Sequence, residues 1–277
     1  MQLKPLHPLF AAEASGVDLA RPVDAGTMRA VDDAMDKYAV LVFRGQPLTE
    51  DQQVAFASSF GTLDAGLKKL NPGAASRFRH EVTIDISNVR PDGGLHGAAD
   101  RKSISNFANQ LWHSDSSFER PAAKYSMLHA VVVPAKGGQT EYVDLRAAYD
   151  ALPGDLKDEI ANLHSVHAAM HSRIWLGDKP TEAELAKMPP VRWPLVRTHA
   201  GSGRKVLWVG AHATHIVEKA IAEGRMLLLE LLEHATQREF VYRHEWGVGD
   251  LVIWDNRAVI HRGRRFDITK PRELRRT

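Results

Sequence analysis

Cysteine is absent from the 277 residues. That excludes disulfides, thiolate nucleophiles, iron–sulfur clusters and cysteine-ligated zinc at once. No apolar run reaches the roughly 18 residues a membrane helix needs, so no membrane partner is expected. An excess of one charge is also missing. Lys and Arg number 36 against 34 Asp and Glu, a formal net charge of +2, which argues against a dedicated nucleic-acid surface. The opening residues, Met1-Gln2-Leu3-Lys4-Pro5-Leu6-His7-Pro8, lack the apolar core of a secretory signal, so a cytoplasmic location is expected. No internal repeat or low-complexity linker divides the chain, and we expect a single domain over residues 1–277. No self-complementary patch decides for or against a homo-oligomer.

What is present is ordinary for a globular core: 44% apolar and 25% charged residues. Residues 27–37 carry Met28, Val31 and Met35 at helical spacing. Residues 39–43 form a short apolar run that reads as a buried strand. Thr49-Glu50-Asp51-Gln52 is a capping box opening a second helix that Gly61 closes. Val82, Ile84 and Ile86 alternate as in a strand. Residues 90–105 lack periodicity and are expected to form a mobile loop, a candidate lid. Further strands are expected at 126–133 and 140–143, and Asp144 should cap a helix. Residues 171–193, with three prolines, read as a surface excursion. A hairpin is expected over 195–209, a helix over 225–234, and strands over 240–246, 251–255 and 258–261. Many short strands with glycine turns and a few helices indicate an α+β fold, mainly β with helical insertions, of the sandwich or jelly-roll type.

The pattern that carries chemistry is split between two distant segments. His113-Ser114-Asp115 is an H-x-D triplet, and in an extended chain residues i and i+2 point to the same side. Alone the triplet is weak, because a histidine near a carboxylate is common on surfaces. A third ligand must come from another strand, and His261 ends the last strand that the pattern identifies. Two histidines and one carboxylate on one face of an ion leave the opposite face open, the ligand set of mononuclear non-haem Fe(II) oxygenases. A tetrahedral zinc hydrolase site with one open position fits less well. Arg262, Arg264, Arg265, Arg272, Arg275 and Arg276 crowd the last 16 residues. They read either as a solvated basic tail or as an anion site, for which the planar guanidinium is suited.

Asn106-Phe107-Ala108-Asn109-Gln110-Leu111-Trp112-His113-Ser114-Asp115-Ser116-Ser117-Phe118 resembles the iron-binding segment of the 2-oxoglutarate-dependent 2,4-dichlorophenoxyacetate dioxygenases, within the larger group that includes taurine dioxygenase. Gly137-Gly138-Gln139-Thr140-Glu141 is similar to the group's 2-oxoglutarate segment. Val248-Gly249-Asp250 through His261-Arg262-Gly263 resembles its second iron segment. Pro5-Leu6-His7-Pro8-Leu9-Phe10, Leu41-Val42-Phe43-Arg44-Gly45-Gln46-Pro47 and Trp193-Pro194-Leu195-Val196-Arg197-Thr198-His199 extend the likeness over nearly the whole chain, in order. Residues 62–105 depart from that pattern, which leaves the substrate open.

The resemblance implies a double-stranded β-helix (jelly-roll) core, with His113, Asp115 and His261 on Fe(II). It implies Thr140 and Arg272 on the far carboxylate of 2-oxoglutarate, with O2 as the oxidant, and Arg276 on the carboxylate of a small-molecule substrate. Lys69 and His199 are weaker candidates for the substrate pocket. Lys69 also reads as a solvated lysine and His199 as a turn histidine. The implied reaction is hydroxylation of an aryloxyalkanoate beside its carboxylate, releasing a phenol. The same chemistry on taurine or another small acid, and a non-catalytic metal- or anion-binding jelly-roll, remain as alternatives.

Overall fold

The computed structural model describes residues 1–70, 76–98 and 100–277. Its architecture is mixed α/β. A seven-stranded sheet runs in the order Gln2–Pro5, Ala12–Ser15, Val40–Phe43, Leu251–Asp255, Tyr125–Val132, Glu273–Arg276, Ile84–Ser87. Its pairings are antiparallel except between Ala12–Ser15 and Val40–Phe43. A three-stranded sheet, Val241–His244, Thr140–Asp144, Val259–Gly263, is antiparallel throughout.

Period-two burial explains how the two sheets stack. Val40, Val42, Leu128, Ala130, Val252, Trp254 and Leu274 project from the large sheet onto Tyr142, Tyr242 and Val259 of the small one. Leu41, Phe43, Met127, Leu251 and Ile253 point the other way, onto helices Ala25–Tyr38 and Glu50–Ser58. Central strands are therefore buried on both faces, which is why Val40–Phe43 and Leu251–Asp255 read as unbroken apolar runs. On the far face of the small sheet, Val143 and Ile260 join a core with Leu227, Leu228 and Leu231 of helix Ile221–Ala235. Asp24 and Thr49 cap the first two helices, the latter by a complete capping box, and Asp144 caps Leu145–Asp150.

Two expectations need correction. The supposed loop over 90–105 contains the start of helix Arg101–Ala108; Ala99 of that loop lies outside the described residues. The apolar spacing there is thin, with Ile104, Phe107 and Ala108 as its signal. The supposed surface excursion over 171–193 holds helices His171–Trp175 and Glu182–Lys187 and strand Val191–Pro194. Its first helix lies against Arg101–Ala108, and both turn residues toward the interior.

Candidate active site

His113 forms an isolated antiparallel bridge with His261, each backbone N–H donating to the other's carbonyl, at 3.0 and 2.8 Å. Past His113 the chain does not stay extended. It turns at Asp115, and Ser116 takes the left-handed conformation at φ 49°. The turn still carries the Asp115 carboxylate back beneath the two imidazoles. Potential ligand atoms of His113, Asp115 and His261 all lie within 4.8 Å of one another, and all three residues are buried. Each Nε2 stands 3.9 Å from an Asp115 oxygen, too far for a hydrogen bond. The three side chains thus face one another without satisfying one another.

Protonation states suit a cation. The Nδ1–H of His113 donates to the Leu111 carbonyl at 2.7 Å, which leaves Nε2 as the lone-pair nitrogen. The buried His261 Nδ1 has no partner among the described residues. Burial lowers the pKa of His113, and burial together with His113 lowers that of His261 much further, so both rings are held neutral. Burial alone would raise the Asp115 carboxyl. The Arg276 guanidinium, helped by the Ser126 hydroxyl, overcomes it and holds the group well below the usual carboxylate range. Two neutral imidazoles and one ionised carboxylate are the donor set that a divalent ion such as Fe(II) takes.

A polar frame that the sequence did not single out holds the carboxylate. Asn256 is fully buried. Its Oδ1 accepts from the Asp115 backbone N–H at 3.1 Å and from Trp254 Nε1 at 2.9 Å. Its Nδ2 donates to Ser126 Oγ at 2.8 Å, and Ser126 Oγ donates onward to Asp115 Oδ2 at 2.9 Å. Ser114 Oγ lies 2.7 and 2.8 Å from the carbonyls of Asn256 and Val259, with one proton to give to either. An amide inside an apolar strand end was the one available signal.

Two cavities reach the histidines of the triad, and a third touches Asp115. One is lined by His113, His261, Thr140, Arg272 and Arg276. Thr140 Oγ1 accepts from Trp246 Nε1 at 3.0 Å, so its own proton is available for an anion. Arg272 donates to the Gly138 carbonyl at 3.0 and 3.3 Å and forms no ion pair among the described residues. Burial pulls its pKa down to about 10, still cationic at neutral pH. Gly138 is required there, because a Cβ would sit 2.9 Å from Arg272 Nε at a φ of +72°.

The other cavity shares His113 and Arg276 with the first and adds Asp115, Lys102, Phe118, Arg173 and His212. Arg276 donates to Asp115 Oδ1 and stands in the wall of both cavities. Lys69 reaches the rim only indirectly. Its ammonium is taken by Asp64 and, at 3.0 Å, by Glu119. His199 is set apart, and the expectation that it lines the substrate pocket is corrected. It is 2% exposed, with Nε2 on Asp255 at 3.0 Å and Nδ1 on Ser202 at 2.9 Å. The buried Asp255 carboxylate draws it away from both cavities.

Known proteins complete the picture. The model of the taurine catabolism dioxygenase TauD, TfdA family matches residues 2–277. The chain belongs to that family. It is 60% identical to an alpha-ketoglutarate-dependent 2,4-dichlorophenoxyacetate dioxygenase of Cupriavidus pinatubonensis, over 98% of this chain and 95% of that one. It is 38% identical to an (S)-phenoxypropionate/alpha-ketoglutarate-dioxygenase of Sphingobium herbicidovorans, over 98% and 91%. The crystal structure of AAD-2 in complex with Mn(II) and N-oxalylglycine superposes with a TM-score of 0.92 at 44% identity, covering 100% of this chain and 96% of that one. This TauD, TfdA family member is accordingly an oxidoreductase of the dioxygenase class.

Proposed function

We propose that the protein hydroxylates the carbon between the ether oxygen and the carboxylate of an aryloxyalkanoate such as 2,4-dichlorophenoxyacetate. It uses Fe(II), 2-oxoglutarate and O2. One oxygen atom enters the substrate C–H bond and the other enters succinate as 2-oxoglutarate loses CO2. The resulting hemiacetal collapses to a phenol and, from an aryloxyacetate, glyoxylate. The observation that carries this reading is the meeting of two arginine-lined cavities at one His–Asp–His cluster. We read the two stacked sheets as a jelly-roll core, residues 1–277 as one domain, and the cytoplasm as its compartment. Its partner is a small carboxylic acid, with no role for nucleic acid or membrane. Among the described residues, no helix is long and apolar enough to cross a membrane.

When bound, iron(II) supplies the activation of O2. The chain supplies the rest. His113, Asp115 and His261 would hold the ion. Arg272 and Thr140 receive the far carboxylate of 2-oxoglutarate, the arginine by charge and the threonine by its free hydroxyl proton. Arg276 faces the second cavity and receives the substrate's carboxylate. Both anions are thereby fixed relative to the ion, which aims one C–H bond at the reacting centre.

The deciding experiment starts from anaerobic protein with Fe(II) and 2-oxoglutarate, adds 2,4-dichlorophenoxyacetate and air, and measures succinate and phenol together. Equal amounts support both chemistry and substrate class. Succinate without phenol keeps the oxygenase and discards the aryl ether in favour of taurine or another acid. Neither product, with metal verified in place, points to a binding module.

A further inference from the structure

The second cavity contains an arginine that forms no ion pair among the described residues. Arg173 stands on the short helix His171–Trp175 and lines the cavity beside His113, Asp115 and Arg276. Among the described residues its guanidinium makes one hydrogen bond, to the Ala169 carbonyl at a long 3.4 Å, and no ion pair. The other cations of this wall are already engaged. Lys102 donates to the Asp85 carbonyl at 2.6 Å, and Lys68 to the carbonyls of Glu81 and Thr83 at 3.1 and 2.9 Å. The Asp85 carboxylate belongs to Arg77, at 3.4 Å. Arg276 gives one N–H to Asp115 and keeps the remainder.

Keeping a half-buried guanidinium without an ion pair is costly. Burial, and then the nearby Arg276 cation, pull the Arg173 pKa down to about 10. Two arginines that repel each other across one cavity are brought into balance by an anion placed between them. The same cavity carries apolar lining from Leu67, Ile84, Ile86 and Phe118, which suits an aryl ring.

We propose that Arg173 binds the carboxylate of the acid substrate together with Arg276, forming a two-arginine clamp that selects acids over their neutral analogues. This rests on the aryloxyalkanoate reading of the same cavity. A planar carboxylate has two oxygens, enough to engage one guanidinium each.

The test is equilibrium binding of 2,4-dichlorophenoxyacetate, by calorimetry without oxygen, to protein loaded with Mn(II) and 2-oxoglutarate. Wild type, Arg173→Met and Arg173→Lys are compared. Arg173→Met is expected to raise the Kd at least about tenfold, the loss typical of one charge-assisted hydrogen bond. Arg173→Lys should recover part of it. The amide analogue of the substrate should bind Arg173→Met and wild type alike, so the preference for acid over amide narrows. The affinity for 2-oxoglutarate should stay unchanged. The melting temperature of Arg173→Met should equal or exceed that of wild type, because only the long bond to the Ala169 carbonyl is lost, whereas an arginine kept for structure would leave a less stable protein. Unchanged acid binding in Arg173→Met, with wild type binding normally, overturns the clamp and spares the functional reading. Failure of wild type to bind 2,4-dichlorophenoxyacetate, taurine or any other small acid overturns both.

Discussion

Replacing Asn256 with alanine should damage the metal centre without touching a ligand. The substitution deletes three side-chain hydrogen bonds, from the Asp115 N–H, from Trp254 Nε1 and to Ser126 Oγ. It also strands two buried donors, the Asp115 N–H and the Trp254 indole. Leaving a buried donor unsatisfied costs about 1–3 kcal/mol each. The two together predict a loss of roughly 2–6 kcal/mol, a large share of the ~5–15 kcal/mol by which a typical domain is stable. The metal should suffer separately. Ser126 is both the partner of Asn256 and the donor to Asp115 Oδ2, so the carboxylate loses its aim. Partners of this kind typically contribute about 10–100-fold to metal affinity. Urea unfolding of the metal-free protein reads the first quantity, and Mn(II) titration below the unfolding transition reads the second. A variant within about 1 kcal/mol of wild type, binding metal equally well, would refute the idea that this amide organises the site.

Arg272→Ala should raise the 2-oxoglutarate KM at least about tenfold and leave the Kd for the aryl acid nearly unchanged, measured by succinate release and by calorimetry. His167 gives a pH prediction. Burial, and then Arg197, hold its pKa down to about 3 from 6.5, so the folded state keeps the ring neutral while the unfolded chain takes a proton. The stability this contributes is complete above pH 6.5 and declines as pH falls toward 3, at up to about 1.4 kcal/mol per pH unit. His167→Gln should flatten the stability profile between those limits by about one proton. An identical slope in denaturant titrations at several pH values would remove His167 as the source.

Legibility in the sequence followed periodicity. The triad was legible because His113 and Asp115 are two apart and His261 lies in an apolar strand, even though the segment turns at Asp115 rather than staying extended. Thr140, Arg272 and Arg276 came from resemblance. The structure brings all three to one cavity wall although Arg272 precedes the strand Glu273–Arg276 and a register shift follows it. Asn256 stayed hidden because Ser126 and the Asp115 N–H lie 130 and 141 residues away from it, and polar residues carry no period of their own. Arg173 was lost in a proline-bearing stretch that looked solvent-exposed. His199 misled for the converse reason. Its place at a hairpin end suggested a pocket rim, but a buried carboxylate 56 residues later claims it.

The paired hydrogen bonds between His113 and His261 make these two residues a single cross-strand rung. The spacing of the two backbone positions that carry the imidazoles is therefore set by this pairing before any ion arrives. An ion that finds its ligands so arranged loses little of its binding energy to ordering the chain. Stripping the metal should leave a vacant seat in an otherwise intact frame, and refilling it should need no refolding. In such an enzyme, iron supply governs how many molecules are active rather than how many are folded.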